Sequence, residues 1–251
     1  DTRVYQSDLR SSDEIGRTAG LRAVERLNPR RPATGSYPVI YDERISSGLV
    51  GHFLSAINGA AITRGSSWLK DSLGKQVLPS TCKLVENPHR LRAGASRLFD
   101  SEGLATKKRE ILSKGVLNGW TLDLASARKL GMKPTANASR NVSSNPSPTN
   151  WNIELSSPED YCDNLLSEMG NGLLVTSLIG STINPNTGDY SRGVSGFWVE
   201  NGQICYPVSE ITIAGNLRDM LKKIILGNDA QRHLSYVVPS ILVEEMTLAG
   251  S

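Results

Sequence analysis

One stretch constrains the fold more than any other: residues 43–63, ERISSGLVGHFLSAINGAAIT. Apolar residues recur at Ile45, Leu49, Phe53 and Ala56/Ile57, the spacing of an amphipathic helix. The opposite face is small, with Ser46, Ser47, Gly51, Ser55, Gly59 and Ala60. Each helical Gly costs roughly 1 kcal/mol relative to Ala. The stretch therefore predicts one helix over 43–63 whose smooth face lets another backbone approach closely. It carries one imidazole, His52.

The flanking sequence supplies partners for that helix. Ser11 and Glu14 form a capping-box pattern, which opens a helix with Ile15, Ala19, Ala23 and Val24 or Leu27 as its buried stripe. Asn28-Pro29 ends it. Strands are predicted over 37–42 and 77–85, and a hairpin over 107–124 around Lys114-Gly115. Residues 125–130 read as a short helix closed by Gly131. Residues 134–150 are rich in Asn, Ser, Thr and Pro with almost no apolar residue, which predicts a mobile flap or a linker. A strand over 151–155 follows. Ser157 then opens a helix that carries Glu159 in its first turn and Leu165, Leu166 and Met169 on its apolar side. The apolar run 172–180 has strand length and a central character. Asn201-Gly202 sits between two strand-like runs, 195–200 and 203–208, and signals a type I′ hairpin. A strand over 211–214, a helix over 217–226 and a strand over 241–248 close the chain. Helices and strands do not alternate regularly, so the fold class is α+β and mainly antiparallel.

The 251 residues suffice for one large domain or two small ones. No run reaches the roughly 18–20 apolar residues of a membrane helix, and the first residues lack the apolar segment of a secretory signal. Cys82, Cys162 and Cys205 are far apart and suggest neither a zinc ribbon nor a disulfide framework. Free thiols fit a reducing cytoplasm. The net charge of +3 is spread, without a basic, aromatic-lined face, so a nucleic-acid partner is not expected.

The familiar chemistries are absent. There is no Gly-x-Ser-x-Gly elbow, phosphate loop or Gly-x-Gly-x-x-Gly turn. Ser47 and His52 fall about 140° apart around a regular helix and cannot form a nucleophile pair. Asp100 and Glu102, in the turn Phe99-Asp100-Ser101-Glu102-Gly103, could serve as metal ligands. Acids in turns more commonly bind free backbone N–H groups, and that reading is preferred.

The segment PVIYDERISSGLVGHFLSAINGAAITRGSSWLKDSLGKQV and the later GDYSRGVSGFWVENGQICYPVSEITIAGNLRDML resemble the C-terminal region of the TldD/PmbA family. These proteins are described both as modulators of DNA gyrase and as a two-subunit zinc metallopeptidase. The resemblance implies curved, barrel-like sheets with packed helices. It also implies a single domain of the C-terminal type over 1–251, without the family's N-terminal domain. In TldD-type subunits the matching helix carries His-Glu-x-x-x-His, whose histidines bind zinc. Here the same register reads Ser47-Gly48-Leu49-Val50-Gly51-His52, so Ser47 and Gly48 replace the first His and the Glu. The TldD-type Cys near the C-terminal end is also missing from 227–239, and His233 is a weak substitute. The pattern resembles the PmbA/TldE-like subunit. That implies no metal, cofactor or catalytic residue in this chain, with Ser47, Gly48 and His52 as degenerate metal-site positions. The implied partners are a TldD-like metallopeptidase subunit and a peptide or unfolded polypeptide, with a homodimer in isolation as a further possibility. An intrinsically active metallopeptidase and a gyrase-binding protein are the alternatives.

Overall fold

The computed structural model describes residues 1–158 and 160–250. Helices α1 to α6 span Ser12–Val24, Ser47–Ala56, Gly59–Arg64, Leu124–Leu130, Leu165–Met169 and Leu217–Lys222. Strands β1 to β7 span Gly35–Tyr41, Lys83–Glu86, Arg109–Ser113, Val116–Leu117, Ala138–Ser139, Ser147–Pro148 and Ile153–Ser156. Strands β8 to β14 span Tyr161–Cys162, Gly172–Ile183, Asp189–Glu200, Gln203–Asn216, Ile224–Gly227, Tyr236–Val237 and Ile241–Ala249.

The long strands close on themselves. The order β1-β9-β10-β11-β14 returns to β1 through an antiparallel β1–β14 pair, giving a closed five-stranded barrel. All its pairings are antiparallel except β1–β9, so the α+β, mainly antiparallel expectation and the barrel-like sheets are both found. Strands β12 and β8 extend from β14. A second sheet, β13-β7-β2-β3-β4, lies across the same core. Helix α2 sits between the two, and Leu49, Val50, Phe53, Leu54 and Ile57 join barrel residues such as Tyr41, Leu173 and Ile213 with Leu84 and Leu112 of the second sheet. At roughly 25 cal/mol per Å² of apolar area, this shared core is the main favourable term of the fold.

Local chemistry fixes several elements as expected. Asn201 and Gly202 both have positive φ, 49° and 74°, as a type I′ turn between β10 and β11 demands. Gly131 caps α4 in the left-handed conformation. The Asp100 carboxylate accepts from the backbone N–H groups of Glu102, Leu104 and Ala138 at 2.9–3.0 Å, the turn-binding role preferred over metal ligation.

Other expectations need correction. The 43–63 stretch is two helices, because Asn58 is extended and caps α3 through its side chain, accepting from Ala60 N–H at 2.9 Å. The Gly59 N–H then donates to Thr121. A good cap outcompetes one more turn of helix. Helix α1 forms on its expected cap but has no buried residue; Leu21, Val24 and Leu27 are 58%, 64% and 63% exposed. Residues 77–82 form turns, so the strand is only β2. The helix placed after Ser157 begins instead at Asn164, whose side chain accepts from Ser167 N–H. Glu159 lies outside the described residues. The helix at 217 ends at Lys222, and the β-branched Ile224-Ile225 pair continues as β12 against β14.

The polar segment 134–150 is tethered at its base rather than lacking anchors. Glu86, buried in β2, accepts from Asn137 and Asn150 side chains, the Trp151 N–H and Arg109 Nε, at 2.5–3.1 Å. Trp151 Nε1 donates to the Ala136 carbonyl. Strands β5 and β6 pair, and residues 140–145 between them are exposed.

Candidate functional site

Helix α2 divides into two faces. Leu49, Val50, Phe53, Leu54 and Ala56 are buried. Ser47, Gly48, Gly51 and His52 are half-buried, and Ser55 is exposed. A Cβ on Gly51 would meet nothing within 4 Å, and one on Gly48 would meet only Leu178 Cδ1 at 3.9 Å. The expected close backbone approach is therefore not made to these two glycines. It is Gly59, on α3, that is crowded, with Ser126 Oγ and Leu122 Cδ2 at 2.5 and 2.7 Å from a Cβ placed there. The small residues of α2 form an open surface.

The barrel sets the chemistry beside that surface. Tyr190, Arg192 and Val194 fall two apart on β10, in the stretch paired regularly with β11, so they share one face. Tyr190 and Val194 of that face are buried in the core with α2. The His52 imidazole packs edge-on against the Tyr190 ring. Tyr41, fully buried on β1, places its hydroxyl 3.4 Å from Met246 Sδ, close enough to the Tyr190 phenol for the two to affect each other's titration. Burial pushes both phenols up, Tyr41 far up, so both are neutral donors. Burial, and then the Arg192 guanidinium, hold the His52 imidazole below its ordinary value. Arg192 Nε is itself buried without a hydrogen-bond partner.

The expected positions thus fall together in part. Ser47, Gly48 and His52 share the open face of α2. Ser46, one residue earlier, is fully buried, with its hydroxyl 3.4 Å from the Glu43 and Val238 carbonyls, and it takes no part in that surface. His89 bonds Thr106 Oγ1 at 3.1 Å in another region, and His233 lies in the turn before β13. Among the described residues, no group of three His, Cys, Asp or Glu side chains could hold a metal ion. Sequence reasoning missed Tyr41, Tyr190 and Arg192. The signal was an arginine at a core-facing position of a strand that reads Tyr-x-Arg-x-Val.

A second concavity of about 270 Å³ opens between β1, α5 and β12 and is lined by Asp42, Glu43, Asp163 and Asp229. Asp229 is engaged there, accepting from Ser240 N–H and Oγ at 2.7 and 2.6 Å. Burial, followed by the adjoining Asp42 carboxyl, pushes Glu43 up to about 7.

A closed five-stranded barrel with a helix presenting a small, polar, single-histidine face defines the class: an α+β barrel domain. The chain belongs to the PmbA/TldD family, since the pattern of the PmbA/TldA metallopeptidase C-terminal domain matches residues 34–250. It is 45% identical over 245 residues to Metalloprotease PmbA of Escherichia coli O157:H7, covering 97% of this chain and 52% of that protein. The chain thus spans about half the length of this relative. A crystal structure from Bacteroides thetaiotaomicron, named for a proposed role as a modulator of DNA gyrase, superposes with a TM-score of 0.89 at 32% identity. That match covers 99% of this chain and 55% of the other. TldE from Thermococcus kodakarensis shares the fold, with a TM-score of 0.83 at 20% identity over 95% of this chain and 55% of its own. No helix among the described residues is long and apolar enough to cross a membrane.

Proposed function

We propose that this chain is the metal-free, PmbA/TldE-like subunit of a TldD-type peptidase, acting in proteolysis or peptide maturation in the cytoplasm. It supplies wall and floor to a peptide-binding cavity, while a TldD-like partner carries the zinc and the proton chemistry. The observation that carries this reading is the open face of α2. Ser47 and Gly48 offer neither the imidazole nor the carboxylate that a hydrolytic zinc site uses. The remaining His52 has a guanidinium as its charged neighbour, and a fixed positive charge opposes a dication at that place. These residues do not fit a zinc ion.

They fit a surface for extended chain. Gly48 and Gly51 leave room for a peptide backbone above α2. Beside it, β9 pairs with β1 only at Val39–Tyr41 against Leu173–Val175. Among the described residues, 176–183 of β9 have β10 on one flank alone. An extended peptide can add to such an edge through main-chain hydrogen bonds, which give affinity with little sequence demand. A partner of the same fold makes a pseudo-symmetric pairing geometrically easy.

The test mixes a longer PmbA-type chain containing this domain with a TldD-like subunit, following mass by size exclusion and cleavage of an unfolded polypeptide. The expected result is a complex that cleaves faster than either component. No complex, or a partner as active alone as in the mixture, contradicts the proposal.

A further inference from the structure

The Arg192 side chain presents an imbalance that the proposed peptide surface does not by itself explain. It stands on the β10 face that carries the buried Tyr190 and Val194, and its Nε is buried and unpaired. Among the described residues no carboxylate forms an ion pair with it. The groups its charge acts on are neutral: the phenols of Tyr41 and Tyr190, and the imidazole of His52. Its partner across the ladder is Ile213. Arg109, by contrast, bonds Glu86, the Trp120 carbonyl and Thr121. Arg97, whose Nε is likewise unpaired, stacks over the Trp151 ring at 3.7 Å, a compensation not found for Arg192 among the described residues. A partly buried cation without acceptors is costly unless something supplies them.

We infer that the Arg192 guanidinium, beside His52 and the small face of α2, is a carboxylate-anchoring subsite for the bound peptide. This rests on the peptide-surface reading and names the feature of the peptide that is recognised. The guanidinium fork matches a carboxylate, and a two-bonded pair fixes orientation as well as position. His52, held neutral, can donate one ring N–H to the same carboxylate without adding a second fixed charge. The open space at Gly51 admits the peptide backbone that follows. The carboxylate has two sources, a peptide C-terminus or an Asp or Glu side chain, and both present the same planar anion.

Three probes separate these: acetyl-pentaalanine with a free C-terminus, the same peptide as its amide, and acetyl-Ala-Ala-Glu-Ala-Ala amide. Each is titrated into the isotope-labelled chain while the Nε–H resonance of Arg192 is followed. The expected result is that at least one carboxylate peptide shifts that resonance and binds about tenfold or more tightly than the pentaalanine amide. Tighter binding of the free C-terminus assigns the subsite to chain ends, and tighter binding of the Glu peptide assigns it to acidic side chains. Arg192→Met should reduce the preference to about twofold or less, while Arg192→Lys, which keeps the charge but loses the fork, should retain part of it. Equal affinities for acid and amide forms, with an unmoved Nε–H signal, overturn the subsite and leave the peptide surface standing. A preference undiminished in a folded Arg192→Met also overturns it. If none of the three binds the wild-type chain, both the subsite and the peptide surface are contradicted. The wild-type comparison decides the matter even where Arg192→Met fails to fold.

Discussion

The His52 imidazole stands edge-on to the Tyr190 ring, with centroids 5.9 Å apart and planes at 68°. The contact ties the open face of α2 to the barrel and fixes the ring beside Arg192. The first prediction follows from this setting. Burial and then Arg192 lower the His52 pKa in the fold, while the unfolded chain titrates near the ordinary value of about 6.5. Its contribution to stability is therefore present above about pH 6.5 and is lost as pH falls through that value toward the lowered one. A ring-proton titration of Arg192→Met should move His52 upward. An unchanged midpoint would mean that burial alone sets it.

Glu43 gives a dependence of the opposite sense. Its folded pKa of about 7 exceeds the ordinary carboxyl value of 4.5, so the fold binds the extra proton between the two. Stability from this group is present below about pH 4.5 and is lost as pH rises toward 7. Urea unfolding of Glu43→Gln across that window should show a flatter profile than the wild type. Parallel profiles would contradict the raised value of Glu43.

The Glu86–Arg109 pair predicts a stability effect. Glu86 is 1% exposed and Arg109 pairs with it through Nε at 2.5 Å. Arg109→Ala leaves a buried carboxylate short of its counter-charge and should cost about 3–5 kcal/mol in denaturant unfolding. Adding Glu86→Gln should recover part of that loss, because the buried charge is gone while Asn137, Asn150 and the Trp151 N–H can still donate to the side-chain oxygen. A double variant no more stable than Arg109→Ala would contradict this account.

Much of this architecture is legible in the sequence where one local rule decides. Asn201-Gly202, the Gly131 cap and the Asp100 turn are such cases, since each needs only residues near in sequence. The single helix expected over 43–63 divides because its apolar period runs through Asn58, and only the Thr121 partner reveals that the cap wins there. Helix α1 shows the converse: its cap is read correctly from Ser11, but a stripe on paper does not say what covers it. The 134–150 segment looks unanchored because its anchors, Glu86 and Asp100, lie far away in sequence. At the site, Ser47, Gly48 and His52 could be named from their register on one helix. Tyr190 and Arg192 could not, because only the tertiary fold brings β10, more than 130 residues further along the chain, to α2.

The tethered base of 134–150 refines where a protease should act. Residues 136–138 are buried, whereas Arg140 is exposed between β5 and β6. Brief trypsin treatment of the native chain should cut after Arg140 ahead of Arg192, the one basic residue of the five barrel strands. Protection of Arg140 while Arg192 is cleaved would contradict this assignment of the exposed tip.

The central claim is that α2 offers surface where a catalytic helix would offer metal ligands. Metal analysis of the purified chain after dialysis against zinc and then against buffer tests it most directly. The account predicts zinc far below one per chain, unchanged by His52→Ala. About one zinc per chain, retained on dialysis and lost with His52→Ala, would be the signature of a protein-held site and would contradict it.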